Sequence, residues 1–287
     1  ADFDFTRGST ATRVNEAGLI ESVAANLPRI NYENGQGHLL LEPQRTNVVP
    51  YSQTLSNWGQ TNVVSTDNAI ISPDGTLNAS KITDDSVNST HRIILSSTTS
   101  ASGEATYSVF LKKGTMTTCF VNLFSGATIA NASVDLENGT ISGATGTNHK
   151  IEQYPNDWYR VSIQGTLANT STFVYVYLKQ LAGYIGNGDY IYAWGASLEE
   201  GSYPTSYIVS NSGSATTRLA ETCSNAGNSD IIPSDEGVLY AEIAALANDG
   251  TNRQISISDG TPSQRIYLGL RVNSNEIIGS SNDSGYV

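Results

Sequence analysis

The stretch Tyr190–Ile208, which reads YIYAWGASLEEGSYPTSYI, decides how the chain is divided. Its first half has the alternation of a β-strand, because the large aromatic residues Tyr190, Tyr192 and Trp194 are separated by smaller ones. A glycine and a proline in its second half end regular structure. The stretch therefore predicts the last strand of one β-domain, followed by a connection to a second region.

A short repeat brackets the region that ends at this stretch. Gly213–Leu219 reads GSATTRL and nearly copies Gly8–Val14, which reads GSTATRV. The repeat indicates an arm and a module followed by a second arm and a second module. We predict an extended N-terminal attachment or assembly arm at 1–50, a jelly roll at 51–209, a linker repeating the arm motif at 210–230, and a partial β-domain at 231–287.

Short strand patterns separated by turn residues fill the region after the arm. Ala105–Lys112 and Thr172–Gln180 alternate with period two, and Asn138-Gly139 suits the left-handed positions of a hairpin turn. Further strands are expected in the C-terminal region, among them Val238–Ala245 and Ile266–Val272. The chain is thus predicted to be all-β: an antiparallel β-sandwich of the jelly-roll type, preceded by an extended arm and followed by a second, partial β-sandwich.

The arm at 1–50 has too few apolar residues to fold by itself. We expect it to become ordered by packing on the following domain or on another subunit. It carries the assembly candidates Arg7, Arg13, Arg29 and Arg45. These side chains either dock on acidic surfaces of neighbouring subunits or form local salt bridges, each of which adds little stability at a surface.

Charge and composition exclude several classes of partner. The 287 residues carry a net charge of -12, which argues against nucleic acid, because binding phosphates requires Lys and Arg. No apolar run approaches the roughly 20 residues that cross a bilayer, so membrane insertion is not expected. The first residues lack the pattern of a signal peptide. Cys119 and Cys223 are expected to be unpaired thiols rather than one long-range disulfide, which fits assembly in a reducing compartment.

Residues that would indicate catalysis do not form a recognisable pattern. The histidines His38, His91 and His149 are far apart, match no metal-binding spacing and are expected at the surface. The adjacent acidic residues lie in turn-like contexts, whereas glycosidases need two carboxylates facing each other across a cleft. We therefore expect no enzyme activity, no metal and no cofactor.

Aromatic residues provide the one indication of a ligand. In Thr172–Gln180, alternation places Phe173, Tyr175 and Tyr177 on one face of a strand and aliphatic residues on the other. Sugars stack their C–H faces on such rings, and a nearby strand could extend the row. The glycan-binding candidates are Phe173, Tyr175, Tyr177, Tyr190, Tyr192 and Trp194. The alternative is that these rings fill the core or a subunit interface.

Several segments resemble those of a known group of proteins. RGSTATRVNEAGLIESVAANLPRINY, from residue 7, and GHLLLEPQRTNVVPYS, from residue 37, resemble the arm of many tailed-bacteriophage structural proteins. Trp158-Tyr159-Arg160-Val161 and Trp194–Glu199 look like parts of a carbohydrate-binding-module jelly roll, and Glu236–Tyr240 resembles the first strands of a concanavalin-like (laminin-G-like) sandwich. The aspartate that often holds calcium in such jelly rolls has no counterpart at Trp194–Ser197, so calcium is not expected.

This resemblance implies a non-enzymatic phage virion fibre or appendage, of the tail-fibre or head-fibre kind. Its implied partners are other virion proteins, two further copies of the chain in a homotrimer, and a host cell-surface polysaccharide. Its implied location is the virion, after assembly in the host cytoplasm. Two alternatives stay open: a carbohydrate-binding module of a polysaccharide-degrading enzyme, and a purely structural decoration protein.

Overall fold

The computed structural model describes residues 3–179, 182–227, 238–247, 251–259, 261, 263–271 and 276–283. Within these residues the chain is all-β, with one 3-10 turn at Leu55–Asn57. The strands are β1 (Asp4–Thr6), β2 (Ala11–Val14), β3 (Ile20–Val23), β4 (Arg29–Glu33), β5 (Gln36–Leu40), β6 (Arg45–Asn47), β7 (Gly59–Thr61), β8 (Val63–Ile71), β9 (Leu77–Asp84), β10 (Asn88–Ser89), β11 (Arg92–Thr98), β12 (Glu104–Lys113), β13 (Thr118–Ser125), β14 (Thr128–Asp135), β15 (Thr140–Thr145), β16 (Thr147–Tyr154), β17 (Trp158–Thr166), β18 (Ser171–Leu178), β19 (Tyr184–Ile185), β20 (Tyr190–Glu200), β21 (Thr216–Arg218), β22 (Thr222–Ser224), β23 (Arg253–Ser258), β24 (Gln264–Leu270) and β25 (Ile277–Asp283).

Two six-stranded sheets form the centre of the larger compact unit, Phe5–Cys223. Sheet A has the strand order β15-β14-β13-β18-β11-β7, and sheet B has the order β16-β17-β12-β20-β9-β8. In both sheets, the neighbouring strands pair antiparallel. The predicted antiparallel β-sandwich is confirmed.

The core lies between the sheets and is built from aliphatic side chains at alternate strand positions. Val174 and Val176 from β18 and Ile191 and Ala193 from β20 are fully buried in one cluster. This burial removes roughly 25 cal/mol of unfavourable hydration per Å² of apolar surface, which is the main driving force for folding. The alternate residues of the same strands therefore point away from the core, so that the sandwich has two outer faces.

A β-bulge in sheet B lets the core pattern continue through Tyr190–Glu200. The register with β12 shifts between Ser108 and Phe110, and Gly195 has a φ of +61°. A Cβ at Gly195 would lie 2.8 Å from the Phe110 ring. The bulge shifts the inward positions by one residue, so that Ala193 before it and Ala196 after it both face the core.

The N-terminal arm packs on the outer face of sheet B. Ile20 from β3 and Tyr207 from the segment after β20 form a second cluster with Phe110, Trp158 and Trp194. The arm is therefore ordered by packing on the following domain, which is one of the two possibilities that the sequence leaves open.

Five charged side chains join the arm to the second copy of its motif, and we call them the ion-pair cluster. Arg7 pairs with Glu221 at 2.7 Å, and Arg29 pairs with Glu42 at 2.9 Å and with Glu221. Arg218 pairs with Glu42 at 2.7 Å. Each of the five side chains has at most 1% of its surface exposed. Three of the four pairs join residues 176 to 214 positions apart, so the cluster closes the unit Phe5–Cys223 near its two ends.

The two copies of the repeated motif occupy different environments. Arg13 of Gly8–Val14 and Arg218 of Gly213–Leu219 are equivalent by sequence. Arg13 forms a partly exposed salt bridge with Glu21, whereas Arg218 is buried in the ion-pair cluster. Strand β21 of the second copy pairs antiparallel with β6, and β2 of the first copy pairs with β3. The repeat is thus a sequence feature whose copies contribute to different sheets.

The four arm arginines are held largely by this chain itself. Arg7 and Arg29 are buried, so in this fold their guanidinium groups do not reach the surface of a neighbouring subunit. Arg13 has its local salt bridge, and Arg45 lies over the ring of Tyr203 at 5.4 Å. Arg7, Arg13 and Arg29 therefore form salt bridges within this chain. For the buried Arg7 and Arg29, this corrects the interpretation that they dock on neighbouring subunits.

Two buried glutamates beside this cluster have opposite pKa shifts. Burial would raise the pKa of Glu42, but the charges of Arg218 and Arg29 outweigh burial and hold the pKa below its usual value. Burial raises the pKa of Glu199, and its hydrogen bond from Thr205 and the charges of the nearby arginines only partly offset this. The fold therefore favours the ionised form of Glu42 and shifts Glu199 towards its protonated form.

We expect the variant Glu199→Gln to be stabilised relative to the natural chain as the pH rises. Because the folded state raises the pKa of Glu199, its contribution to stability is full below the usual value of 4.5 and is lost as the pH rises through the folded-state pKa. A glutamine cannot ionise and avoids this loss. Melting temperatures of both proteins between pH 4 and pH 8 test this, and two parallel curves would contradict it.

The smaller compact unit comprises Ala1–Asp4 and Ser224–Val287. Its described strands β23, β24 and β25 form a three-stranded antiparallel sheet. No strand is present in described residues 238–247, so the expectation of a strand at Val238–Ala245 is wrong. The segment 228–237, where the predicted linker ends, lies outside the described residues. The domain boundaries at 210–230 and 231–287 stay a prediction.

Both cysteines are free thiols, as expected: Cys119 is buried and Cys223 is half-buried. Burial raises the pKa of the Cys119 thiol. Within the described ranges, no helix has the length and apolar character needed to span a membrane.

Candidate functional site

The outer face of sheet A carries three rows of side chains that cross adjacent strands. The first row joins Phe120, Tyr177 and Arg92, and the second joins Asn122, Tyr175 and Ile94. The third joins Phe124, Phe173 and Ser96. We call this set the aromatic face: Phe120, Asn122, Phe124, Phe173, Tyr175, Tyr177, Arg92, Ile94 and Ser96.

Strand alternation explains why these residues share one side of the sheet. Their chain neighbours Val121 and Leu123 in β13, Val174 and Val176 in β18, and Ile93 in β11 are all buried in the core. Each strand is fixed in register by its core side, because a slip by one residue would expose those aliphatic chains. The core of the sandwich therefore positions the aromatic face.

The rings of the aromatic face differ in how much of their surface is available. Tyr175 and Tyr177 stack on each other with ring centroids 5.5 Å apart, and they are only 9% and 3% exposed. Phe120, Phe124 and Phe173 are half-buried and make edge contacts at about 6 Å, namely 5.9 Å from Phe120 to Tyr177 and 6.0 Å from Phe124 to Phe173. The phenylalanines therefore offer more accessible ring surface than the tyrosines.

Polar groups with unused hydrogen-bonding capacity lie among these rings. Asn122 is 4% exposed, and its Oδ1 has no hydrogen-bond partner in the described part of the chain. The Nε of Arg92 is likewise buried without a partner there. A buried polar atom without a partner costs about 1–3 kcal/mol. A ligand that supplies a hydroxyl group or an acceptor at this face would remove that cost.

Arg92 is held in place by the two stacked tyrosines. Its Nη1 donates a hydrogen bond to Tyr177 Oη at 3.0 Å. Its guanidinium carbon lies 5.2 Å from the centroid of the Tyr175 ring and 5.6 Å from that of Tyr177. Burial and the neighbouring Tyr177 raise the pKa of Tyr175, while Arg92 partly offsets this. The Tyr175 hydroxyl therefore stays protonated at neutral pH and is available as a donor.

The candidates Phe173, Tyr175 and Tyr177 lie on the side of β18 that the alternation predicts. Their aliphatic neighbours are in the core, and all three rings belong to the aromatic face. Phe120 and Phe124 are functional candidates that sequence reasoning missed, although TCFVNLF at 118–124 has the same alternation. Arg92 could not be found in this way, since its place beside Tyr177 depends on the register between β11 and β18.

Tyr190, Tyr192 and Trp194 do not extend this row of rings, which corrects the prediction that they would. They belong to β20 in sheet B, whereas β18 belongs to sheet A, so the two sets of rings point out of opposite sides of the sandwich. Trp194 is completely buried, with its ring 5.3 Å from Phe110 and 4.7 Å from Tyr207. An enclosed ring cannot stack on a sugar.

Tyr190 and Tyr192 are half-buried at the start of β20 in sheet B. Their rings meet edge to face at 5.4 Å, and Lys81 Nζ lies 3.8 Å from the centroid of the Tyr190 ring. Both rings thus have partners within this chain.

A loop cluster at one end of the sandwich is held by Asp84. Asp84 Oδ1 accepts hydrogen bonds from the backbone N–H groups of Asn187, Gly188 and Asp189 at 3.0, 2.7 and 2.8 Å, and Tyr184 donates to Oδ2 at 2.9 Å. These bonds fix the loop before β20.

His91 packs against this loop and is fully buried, which corrects the expectation that it lies at the surface. Its ring centroid is 4.4 Å from that of Tyr184. Nowhere in the described residues do three His, Cys, Asp or Glu side chains meet as a metal site would require.

The chain has little similarity to known proteins. No family model and no curated protein matches the chain. Among solved structures, the chain is similar to TmCBM27, a carbohydrate-binding module studied for specific mannan recognition. The identity is 10% and the TM-score is 0.32, over 57% of this chain and 98% of that one. A likeness at this level carries no inference about the ligand of the present chain.

Proposed function

We propose that the chain is a non-catalytic glycan-binding protein and that the aromatic face of sheet A is its binding surface. The observation that carries this proposal is the combination, on one sheet face, of half-exposed Phe120, Phe124 and Phe173 with the unpartnered polar atoms of Asn122 and Arg92. Sugars present apolar C–H faces and hydroxyl groups side by side. The rings can stack on the C–H faces, and the unpartnered polar atoms in adjacent rows can hydrogen-bond the hydroxyl groups.

A role in a phage virion extends this proposal. The sequence resemblance of the arm to tailed-bacteriophage structural proteins supports a fibre or appendage that binds host-surface polysaccharide and assembles with other virion proteins as a homotrimer. Detection of the chain by mass spectrometry of purified virions, together with a trimer mass in light scattering, is the expected result. If the chain is a monomer and is absent from particles, this role is contradicted. The proposal that the aromatic face binds glycans would still stand.

A carbohydrate-binding module of a polysaccharide-degrading enzyme would use the same face. A catalytic domain encoded in the same reading frame would favour this second candidate. A purely structural decoration role is favoured if the intact protein binds no polysaccharide.

Replacing Phe173 with alanine should weaken polysaccharide binding about tenfold. One lost aromatic contact is worth up to about 1.5 kcal/mol, which corresponds to roughly a factor of ten in affinity. Affinity electrophoresis against a panel of bacterial polysaccharides first identifies a bound polymer. Isothermal titration calorimetry then compares the natural chain with the variant.

Tyr190→Ala is the matched control for this substitution. It removes a half-buried ring of similar size from sheet B, on the other side of the sandwich. The control should bind like the natural chain. Equal losses in both variants would mean that the effect is one of stability, and loss in Tyr190→Ala alone would place the ligand on sheet B.

A further inference from the structure

Arg92 differs from most other arginines of the unit Phe5–Cys223 in having no acidic partner. Arg7, Arg13, Arg29 and Arg218 each form a salt bridge with a glutamate. In the described residues, no carboxylate lies within salt-bridge distance of Arg92, and the hydrogen bond to Tyr177 is the one its guanidinium makes. A chain with a net charge of -12 thus leaves this half-buried cation unneutralised on its aromatic face.

The surroundings of Arg92 favour an anion. A guanidinium group has five N–H donors in a planar fork that fits a carboxylate or a phosphate with two parallel hydrogen bonds. One donor is used by Tyr177, and the stacked tyrosines restrict the motion of the side chain, so little entropy is lost when an anion binds. Arg92 is therefore preorganised to bind an anionic ligand.

Asp135, the acidic residue in the strands of sheet A, is too far away to neutralise Arg92. Asp135 lies on β14, three strands from β11, which corresponds to about 14 Å between strand axes. Its carboxylate accepts hydrogen bonds from Asn138 and from the backbone of Glu137. At physiological salt, charges further apart than about 8 Å are largely screened, so Asp135 does not cancel the local field of Arg92.

We infer that the ligand of the aromatic face is an acidic polysaccharide, one of whose anionic groups pairs with Arg92 while a neighbouring sugar stacks on the phenylalanines. This inference rests on the proposed function and names the ligand class for the same face. Phe120 and Arg92 lie at the two ends of one row, two strand spacings or about 10 Å apart. The stack and the ion pair therefore involve different parts of one polymer.

The test compares acidic polymers with neutral forms of the same backbone. Alginate, polygalacturonate and hyaluronate are each presented to the full chain beside their carboxyl-reduced counterparts, in which a primary alcohol replaces the carboxylate. Teichoic acid supplies a phosphate-bearing polymer. We expect binding to at least one acidic polymer, about tenfold or more weaker binding to its neutral counterpart, and a loss of affinity as salt is raised.

Variants of Arg92 connect this preference to one side chain. Arg92→Gln should reduce affinity for the acidic polymer about tenfold or more and affinity for the neutral form much less, so that the preference for the acidic form is lost, whereas Arg92→Lys should retain part of the preference. Lys150→Gln is the matched control, because it removes one positive charge from β16 in sheet B. It should behave like the natural chain, and melting curves check that every variant is folded.

The possible failures are distinguishable. Equal binding of neutral and acidic forms, or an unchanged preference in Arg92→Gln, overturns the inference and leaves the proposed function standing. If no polysaccharide binds, both fail. Concentration-dependent dimers that Phe173→Ala dissociates would make the aromatic face an interface between copies of this chain and would also overturn both.

Discussion

Replacing Arg29 with alanine should lower the free energy of unfolding of the unit Phe5–Cys223 by about 3–5 kcal/mol. The guanidinium of Arg29 is fully buried and binds Glu42, Glu221 and the carbonyl oxygen of Thr12 at 2.7 Å. Its removal leaves two buried carboxylates with fewer partners and takes away one of the links between the arm and the segment that carries Glu221, the salt bridge from Arg7 being another. Urea denaturation at pH 7, followed by tryptophan fluorescence, measures the change.

Arg13→Ala is the control for Arg29→Ala. Both residues are arginines of the arm, but the salt bridge between Arg13 and Glu21 is partly exposed, so its loss should cost at most about 1 kcal/mol. Similar losses in the two variants would mean that the ion-pair cluster does not hold the arm. In that case the arm would be free for a docking role.

Replacing Trp194 with alanine should destabilise the chain by about 3–5 kcal/mol, because the substitution leaves a large cavity. The indole ring is fully enclosed by Phe110, Tyr207 and the other members of its cluster, between sheet B and the arm. For a domain of this size, the melting temperature should fall by roughly 6–20 °C. Calorimetry measures that shift directly.

Phe173→Ala serves as the comparison, because it should affect glycan affinity strongly and stability weakly. Phe173 is half-buried, so its loss should cost less than half as much stability, while glycan affinity falls about tenfold. Trp194→Ala that is still folded should keep its glycan affinity. A Trp194→Ala variant as stable as the natural chain would contradict the enclosed position of the ring.

Alternation along a strand predicts faces well but not the sheet to which a strand belongs. For Thr172–Gln180 the rule predicts an aliphatic core side and an aromatic outer side, and β18 (Ser171–Leu178) shows both, because core burial enforces period two. The same rule applied to Tyr190, Tyr192 and Trp194 identifies an outer side but cannot show that β20 lies in the other sheet. In a sandwich, strands that follow closely in sequence often cross between sheets.

Long-range pairing explains the other limits of prediction. The arm contains too few apolar residues to indicate a buried core of its own, yet Arg29 is fully buried because Glu221, 192 residues away, neutralises it. Likewise, Arg92 joins the aromatic face only through the antiparallel register with Tyr177, 85 residues away. Single-sequence patterns contain no information on such distant partners.

The placement of the ligand on sheet A is tested most directly by hydroxyl-radical footprinting with a bound polysaccharide. Radicals oxidise accessible aromatic side chains, so a ligand protects the rings that it covers. We predict protection of Phe120, Phe124 and Phe173, with unchanged oxidation of Tyr190 and Tyr192. Protection of Tyr190 and Tyr192, with unchanged oxidation of the three phenylalanines, would contradict the account.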